Sequence, residues 1–188
     1  KINLDTKNMT LVGKDDNFLQ IVPDNDNKLR LATKTNPEGG IIVFKNSEAG
    51  WQEYFRVPQE DMLTFGFFGF TKANDKVYMV DSRGRDKAAL YTLDLATMEK
   101  KVLAENEKAD IGNITINPIT EEPDAYAVEY LTNEWIPLNP ELKKDFDYLG
   151  KVLDGELSIL LRTNDDKHWI VVYDVPNGAS KYYNYDRD

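Results

Sequence analysis

A short strand closed by a polar turn returns along this chain at near-even steps. It reads Ile2-Asn3-Leu4-Asp5, Ile42-Val43-Phe44-Lys45, Tyr91-Thr92-Leu93-Asp94, Trp135-Ile136-Pro137-Leu138-Asn139 and Tyr183-Asn184-Tyr185-Asp186. From Leu4 to Phe44, Leu93, Leu138 and Tyr185 the steps are 40, 49, 45 and 47 residues. A strand-built period in the forties is the mark of propeller blades. One blade cannot bury its own faces, so the expected architecture is an array. The fold class expected is all-β: a β-propeller fragment of four-stranded antiparallel blades with one inserted helix over about 140–153.

The pattern divides the chain. Residues 1–12 read as the end of a blade (Ile2–Asp5 and Met9–Val12). A blade follows over 18–57, with strands at Phe18–Val22, Leu29–Thr33, Ile41–Phe44 and Trp51–Val57. Gly39-Gly40 falls where a hairpin demands positive φ. The next blade, 63–103, has strands at Leu63–Phe70, Lys76–Val80, Ala88–Leu95 and Lys101–Leu103. Its aromatic first strand is expected to be buried on both faces. Over 113–153 three strands (Asn113–Ile116, Ala125–Leu131, Trp135–Leu138) precede a helix in place of the fourth. Asn139 can cap that helix and Pro140 suits its first position. Leu142, Phe146, Leu149 and Leu153 form one helical face, and Gly155 is expected to end it. An incomplete blade over 156–188 has strands at Glu156–Arg162, His168–Val175 and Lys181–Asp186. A further strand is expected after Asp188, and the start of the protein before Lys1.

Composition removes several function classes. The formal charge is -10, which opposes a nucleic-acid partner, because phosphate binding needs clustered Lys and Arg. No apolar run is long enough to span a membrane, so a soluble chain is expected. Cysteine is absent, so disulfides, thiol catalysis and Cys-based zinc sites are excluded. The compartment stays open between cytoplasm and periplasm.

Catalytic chemistry is not legible. None of Ser47, Ser82, Ser158 and Ser180 sits in a Gly-x-Ser-x-Gly elbow. The one histidine, His168, lies beside Trp169 in a strand and reads as a surface strand residue. Asp24, Asp26 and Asn27 are spaced somewhat like a calcium loop, but Lys28 stands at the fifth position and no glutamate closes it. No catalytic residue, metal ligand or cofactor is therefore expected. The segment Asp81-Ser82-Arg83-Gly84-Arg85-Asp86 carries more chemistry. Arg83 and Arg85 are the candidate substrate-binding residues, since a guanidinium can grip a peptide carboxylate with two prongs. The alternative is that the two arginines pair with Asp81 and Asp86 and only fold the turn.

Ser82-Arg83-Gly84-Arg85-Asp86-Lys87-Ala88-Ala89-Leu90, running into Leu93-Asp94-Leu95-Ala96-Thr97, resembles a blade of the prolyl oligopeptidase family of serine peptidases, in its bacterial acylaminoacyl-peptidase and dipeptidyl-aminopeptidase branch. Glu129-Tyr130, Glu134-Trp135, Leu138-Asn139-Pro140 and the segment Asp154 to Ile159 resemble it too, as do Arg162, Asp165-Asp166, Trp169 and Tyr182 to Arg187. The match is carried by 76–188; residues 1–75 fit by periodicity. Leu131-Thr132-Asn133 departs from it, standing where the family pattern has Arg-Pro before Glu-Trp. The resemblance implies a seven-bladed propeller capping a C-terminal α/β-hydrolase domain and admitting short peptides to a serine triad. That domain would lie beyond Asp188. The function implied is a non-catalytic, substrate-gating propeller segment; the alternative is a self-contained small propeller binding a protein or sugar. Open blade edges would favour self-association, as an open arc rather than a closed disc.

Overall fold

The computed structural model describes residues 1–13 and 17–188. Its strands form four sheets. The first is β1 (Gln20–Pro23), β2 (Leu29–Thr35), β3 (Ile41–Ser47) and β4 (Gly50–Val57). The second is β5 (Gly66–Phe70), β6 (Lys76–Asp81), β7 (Ala89–Asp94) and β8 (Lys100–Ala104). The third is β9 (Ile111–Ile116), β10 (Pro123–Glu129) and β11 (Asn133–Pro137), and the fourth β12 (Glu156–Arg162), β13 (His168–Asp174) and β14 (Lys181–Asp186). Every strand pairs with its neighbour in sequence, so each sheet is a meander. One helix, α1 (Lys143–Leu149), follows the third sheet. The chain is all-β, with sheets of the propeller-blade kind and one small helix.

Two compact units divide it: residues 1–86 with 91–101, and residues 87–90 with 102–188. Within the first unit, side chains of one sheet bond to turn backbone of the other. Arg30 donates to the Asn74 carbonyl at 3.0 Å, and Lys45 and Tyr54 donate to that of Leu95 at 2.5 and 3.0 Å. In the second unit, Leu142, Phe146 and Leu149 of the helical segment pack on Ala125, Leu157, Trp169, Val171 and Tyr173.

Burial on both faces belongs to the second strands β6 and β10 rather than to the first strands. Val77 to Asp81 of β6 are all buried, as are Asp124 to Val128 of β10. The aromatic strand β5 is shorter than expected. Leu63 lies in a 3-10 helix (Gln59–Thr64) and is exposed. Phe67 and Phe70 are buried, while Phe65 and Phe68 are half-buried. Strict alternation would send positions 67 and 70 to opposite faces. A bulge at Phe68, with Gly69 at φ 125°, resets the pairing from Phe67↔Met79 to Gly69↔Tyr78 and lets both be buried.

The regularity of the chain lies largely in its turns. Asn27, Asn74, Glu121 and Asp166 each take a left-handed conformation, φ 58–62°, in the hairpin joining the first two strands of a sheet. A second device recurs three times. Asn3 accepts from the amides of Asp5 and Thr6 through Oδ1, Asp94 from Ala96 and Thr97, and Asn117 from Ile119 and Thr120, all at 2.8–3.0 Å. The Thr hydroxyl then accepts from the amide two residues on, at 3.3–3.4 Å, and the residue between them has positive φ. This geometry matches Asn3 to Asp94, so Ile2 corresponds to Leu93. The repeat as read from sequence, Leu4 to Leu93, is two residues out of register.

The helical segment begins as expected. Asn139 Oδ1 accepts from the Glu141 amide at 3.0 Å, and Pro140 opens a 3-10 turn before α1. It ends sooner than expected, at Gly150, whose amide bonds the Phe146 carbonyl at 2.9 Å. Gly155 instead sits at the start of β12, where a Cβ would lie 2.9 Å from the Asp174 carbonyl oxygen.

Candidate functional site

The candidate loop is built by the end of β6 and the turn after it. Asp81 is fully buried and Arg83 closes on it, Nε to Oδ1 and Nη2 to Oδ2, both at 2.9 Å. Lys100 of β8 reaches Asp81 Oδ2 at 2.9 Å. Burial by itself would raise the Asp81 pKa. The hydrogen bonds from Arg83 and Lys100 outweigh it and hold the carboxyl below the ordinary range. Arg83 Nη1 also donates to the Arg56 carbonyl at 2.9 Å, and its guanidinium lies 4.5 Å from the Phe55 ring centroid.

Arg85 reaches the same cluster by another route. Its Nη1 donates to the Tyr91 hydroxyl at 2.9 Å, and Lys100 lies 4.8 Å over the Tyr91 ring. The loop thus gathers three cations around one buried carboxylate and one tyrosine. Arg83, Lys100, Phe55, Leu93 and Met98 line a surface pocket of about 280 Å³. Lys100 was not legible as a site residue: it stands nineteen positions after Asp81 at the head of a run of exposed residues. The neighbouring Ser82 hydroxyl is committed to Asp61 and Thr64 in a local network.

The second unit holds a larger, differently charged arrangement. Arg162 forks onto Asp166, Nε and Nη2 at 2.5 and 2.6 Å, and bonds Asp124 through Nη1 at 2.7 Å. Arg187 bridges Asp166 and Asp145. Both guanidinium groups stack on Trp169, at 4.7 and 4.9 Å, and the indole Nε1 donates to Asp166 at 2.8 Å. Tyr185 donates to Asp145 Oδ1 at 2.8 Å. Burial of Asp166 is offset by Arg162 and Trp169, which keep its carboxyl low. Two cations and three carboxylates here pair with one another, Arg187 Nε alone of their nitrogens being buried without a partner. Arg162 and Asp166 had only the family pattern to mark them.

An open groove of about 880 Å³ lies beside this network, within the same unit. Trp135 and Phe146, stacked at 5.7 Å, form part of its floor. Asp154, Glu156 and Asp174 stand on its walls with Lys151. The Trp135 indole and the Asn133 amide both donate to the Leu157 carbonyl, at 2.8 and 3.1 Å.

His168 is an exposed strand residue, its Nδ1 3.8 Å from Asp186. Asp24 accepts from the amides of Asp26 and Lys28 and from Arg30 Nη1, so its carboxylate folds the β1–β2 turn.

No family model matches the chain. Dipeptidyl aminopeptidase BIII of Pseudoxanthomonas mexicana is 35% identical over 189 residues, covering 100% of this chain and 27% of that protein. Dipeptidyl peptidase family member 6 of Caenorhabditis elegans is 26% identical over 196 residues, covering 98% of the chain and 26% of its own length. A crystal structure of puromycin hydrolase complexed with PGG superposes with a TM-score of 0.51 at 15% identity, covering 92% of this chain and 28% of that one. This last likeness speaks to fold alone. The chain spans about a quarter of the length of the curated relatives it matches. Alike along its whole length to about a quarter of a dipeptidyl aminopeptidase, and folded into meander sheets of the propeller kind, the chain is similar to a segment of the β-propeller region of the prolyl oligopeptidase family.

Proposed function

We propose that the chain is a non-catalytic part of a propeller that controls which peptides reach a serine-peptidase domain of the same protein. The observation that carries this reading is the match of the entire chain to about a quarter of a dipeptidyl aminopeptidase. Gating is steric: stiff sheets exclude bulky substrates, and polar loop groups orient what enters. Arg83 and Arg85 are the candidate contacts to peptide. Three N–H groups of Arg83 are used within the chain, which leaves two of its five for a ligand.

The complete protein supplies the test. It should cleave a short peptide and spare the same scissile sequence set in a folded domain. Equal rates on both would refute gating. The chain 1–188 alone should show no turnover of aminoacyl-nitroanilides. Its exposed apolar side chains, Leu161 on β12 and Tyr182 on β14 among them, support self-association of the isolated chain. Sedimentation velocity across protein concentrations checks this; a monomer at every concentration would refute it.

A further inference from the structure

We propose that Arg83 and Lys100 form a subsite for a carboxylate carried beside an apolar group. Three observations carry it. The first is charge. In a chain of net charge -10, the charged groups lining this pocket are both cations. The single acid they share, Asp81, lies fully buried beneath them. One carboxylate cannot neutralise two cations, so the rim keeps an excess of one positive charge.

The second is donor capacity. Lys100 gives one of its three N–H groups to Asp81. Arg83 gives three of its five to Asp81 and to the Arg56 carbonyl. Two donors on each side chain remain, and both side chains are partly open to solvent, 23% and 33%. Asp81 fixes both heads in place, so a ligand would not have to order them.

The third is shape. The remaining walls are Phe55, Leu93 and Met98. The volume of about 280 Å³ falls just below the range of roughly 300–1,000 Å³ usual for sites that enclose a whole small molecule. It suits one residue-sized apolar group with its carboxylate at the cationic rim. Two sources share this chemistry: the C-terminal residue of a peptide, and a Glu or Asp side chain within one. The reading of the segment as peptide-handling is used only to name the ligand as peptide-borne. Binding is read on the chain itself, so a failed gating test leaves this proposal standing, and the reverse.

The experiment is a ¹H–¹⁵N NMR titration of the chain at neutral pH with three probes: N-acetyl-phenylalanine, N-acetyl-glutamic acid 1-amide, and neutral N-acetyl-phenylalaninamide. At least one acid should shift the amides around Arg83, Met98 and Lys100, and the neutral amide should bind about tenfold or more weakly. Whichever acid binds more tightly identifies the source. Lys100→Met should weaken the acid about tenfold, and Lys100→Arg should retain it. Thermal melts of both variants establish that they are folded; Asp81 keeps Arg83 in each. Equal binding of acid and amide, shifts confined to other regions, no shift with either acid, or unchanged binding by folded Lys100→Met would each overturn the proposal.

Discussion

The two units solve the same electrostatic problem with opposite stoichiometry. In the first, one buried carboxylate, Asp81, holds two cations. In the second, Arg162 and Arg187 are enclosed by Asp124, Asp145 and Asp166 and capped by Trp169. Arg162 is 6% exposed, whereas Lys100 is 33% exposed. A buried network whose charges are paired with one another offers little to a ligand, and its value is to lock β10, β12 and the end of β14 to the helix. A cation-rich cluster at the surface is stabilised less and keeps unspent donors. Buried ionic groups therefore do not mark a site by themselves; the imbalance and exposure of the cluster do.

The largest effect that would sharpen this contrast is the loss of a buried charge partner. Arg162→Met takes the guanidinium from buried Asp124, leaving Asp166 to Arg187 and Trp169, and should destabilise the chain by about 3–5 kcal/mol. Lys100→Met leaves Asp81 gripped by Arg83 and should cost about 1 kcal/mol. Urea denaturation of both variants decides it. Equal losses would mean that the two clusters are alike in kind.

The bulge in β5 gives the next comparison. Phe67→Ala empties a buried position and should cost about 3–5 kcal/mol. Phe68→Ala, at the half-buried bulge, should cost about half as much. If Phe68→Ala proves the more damaging of the two, the strand pairs in another register.

Acid should act on both clusters in one direction. The folded pKa values of Asp81 and Asp166 lie below their unfolded values. Such groups stabilise the fold above the unfolded pKa, near about 3.9, and lose that contribution as pH falls through the folded value. Stability should hold above about pH 5 and drop below about pH 4. Asp166→Asn should flatten that drop more than Asp94→Asn, because Asp94 is half-open to solvent and is lowered chiefly by its turn amides, with no arginine paired to it. Melting temperatures between pH 3 and pH 7 test the order.

Much of the fold could be read from sequence because blades announce themselves in apolar runs and turn residues. The hairpin glycine Gly39, the Asn139 cap and the buried face of Leu142, Phe146 and Leu149 all follow from local chemistry. Two things did not. The bulge at Phe68 depends on pairing with β6, so alternation alone misplaced the faces of β5. The repeat slipped by two residues because Leu4 resembles Leu93, whereas the repeated geometry is an Asx turn that Asn3 and Asp94 share. At the candidate site, Arg83 and Arg85 were visible as a charged turn. Lys100 was not, since its meeting with Asp81 is made by sheet pairing, and the groove formed by Trp135 and Phe146 with residues 150–157 is likewise a product of tertiary packing.

The smallest effect concerns Tyr185, on which the second unit's network closes. Burial first, and then its hydrogen bond to Asp145, push its pKa from the ordinary 10 up to about 12. The folded value lies above the unfolded one, so the neutral phenol contributes stability that is intact below about pH 10 and fades as pH rises toward 12. Phenolate absorbance of the chain, compared with that of Tyr185→Phe, isolates this one group among ten tyrosines. The difference curve should have its midpoint near 12. A midpoint near 10 would mean that Asp145 does not hold the hydroxyl, and that the network is open to solvent at the very edge where the contrast between the two units requires it to be closed.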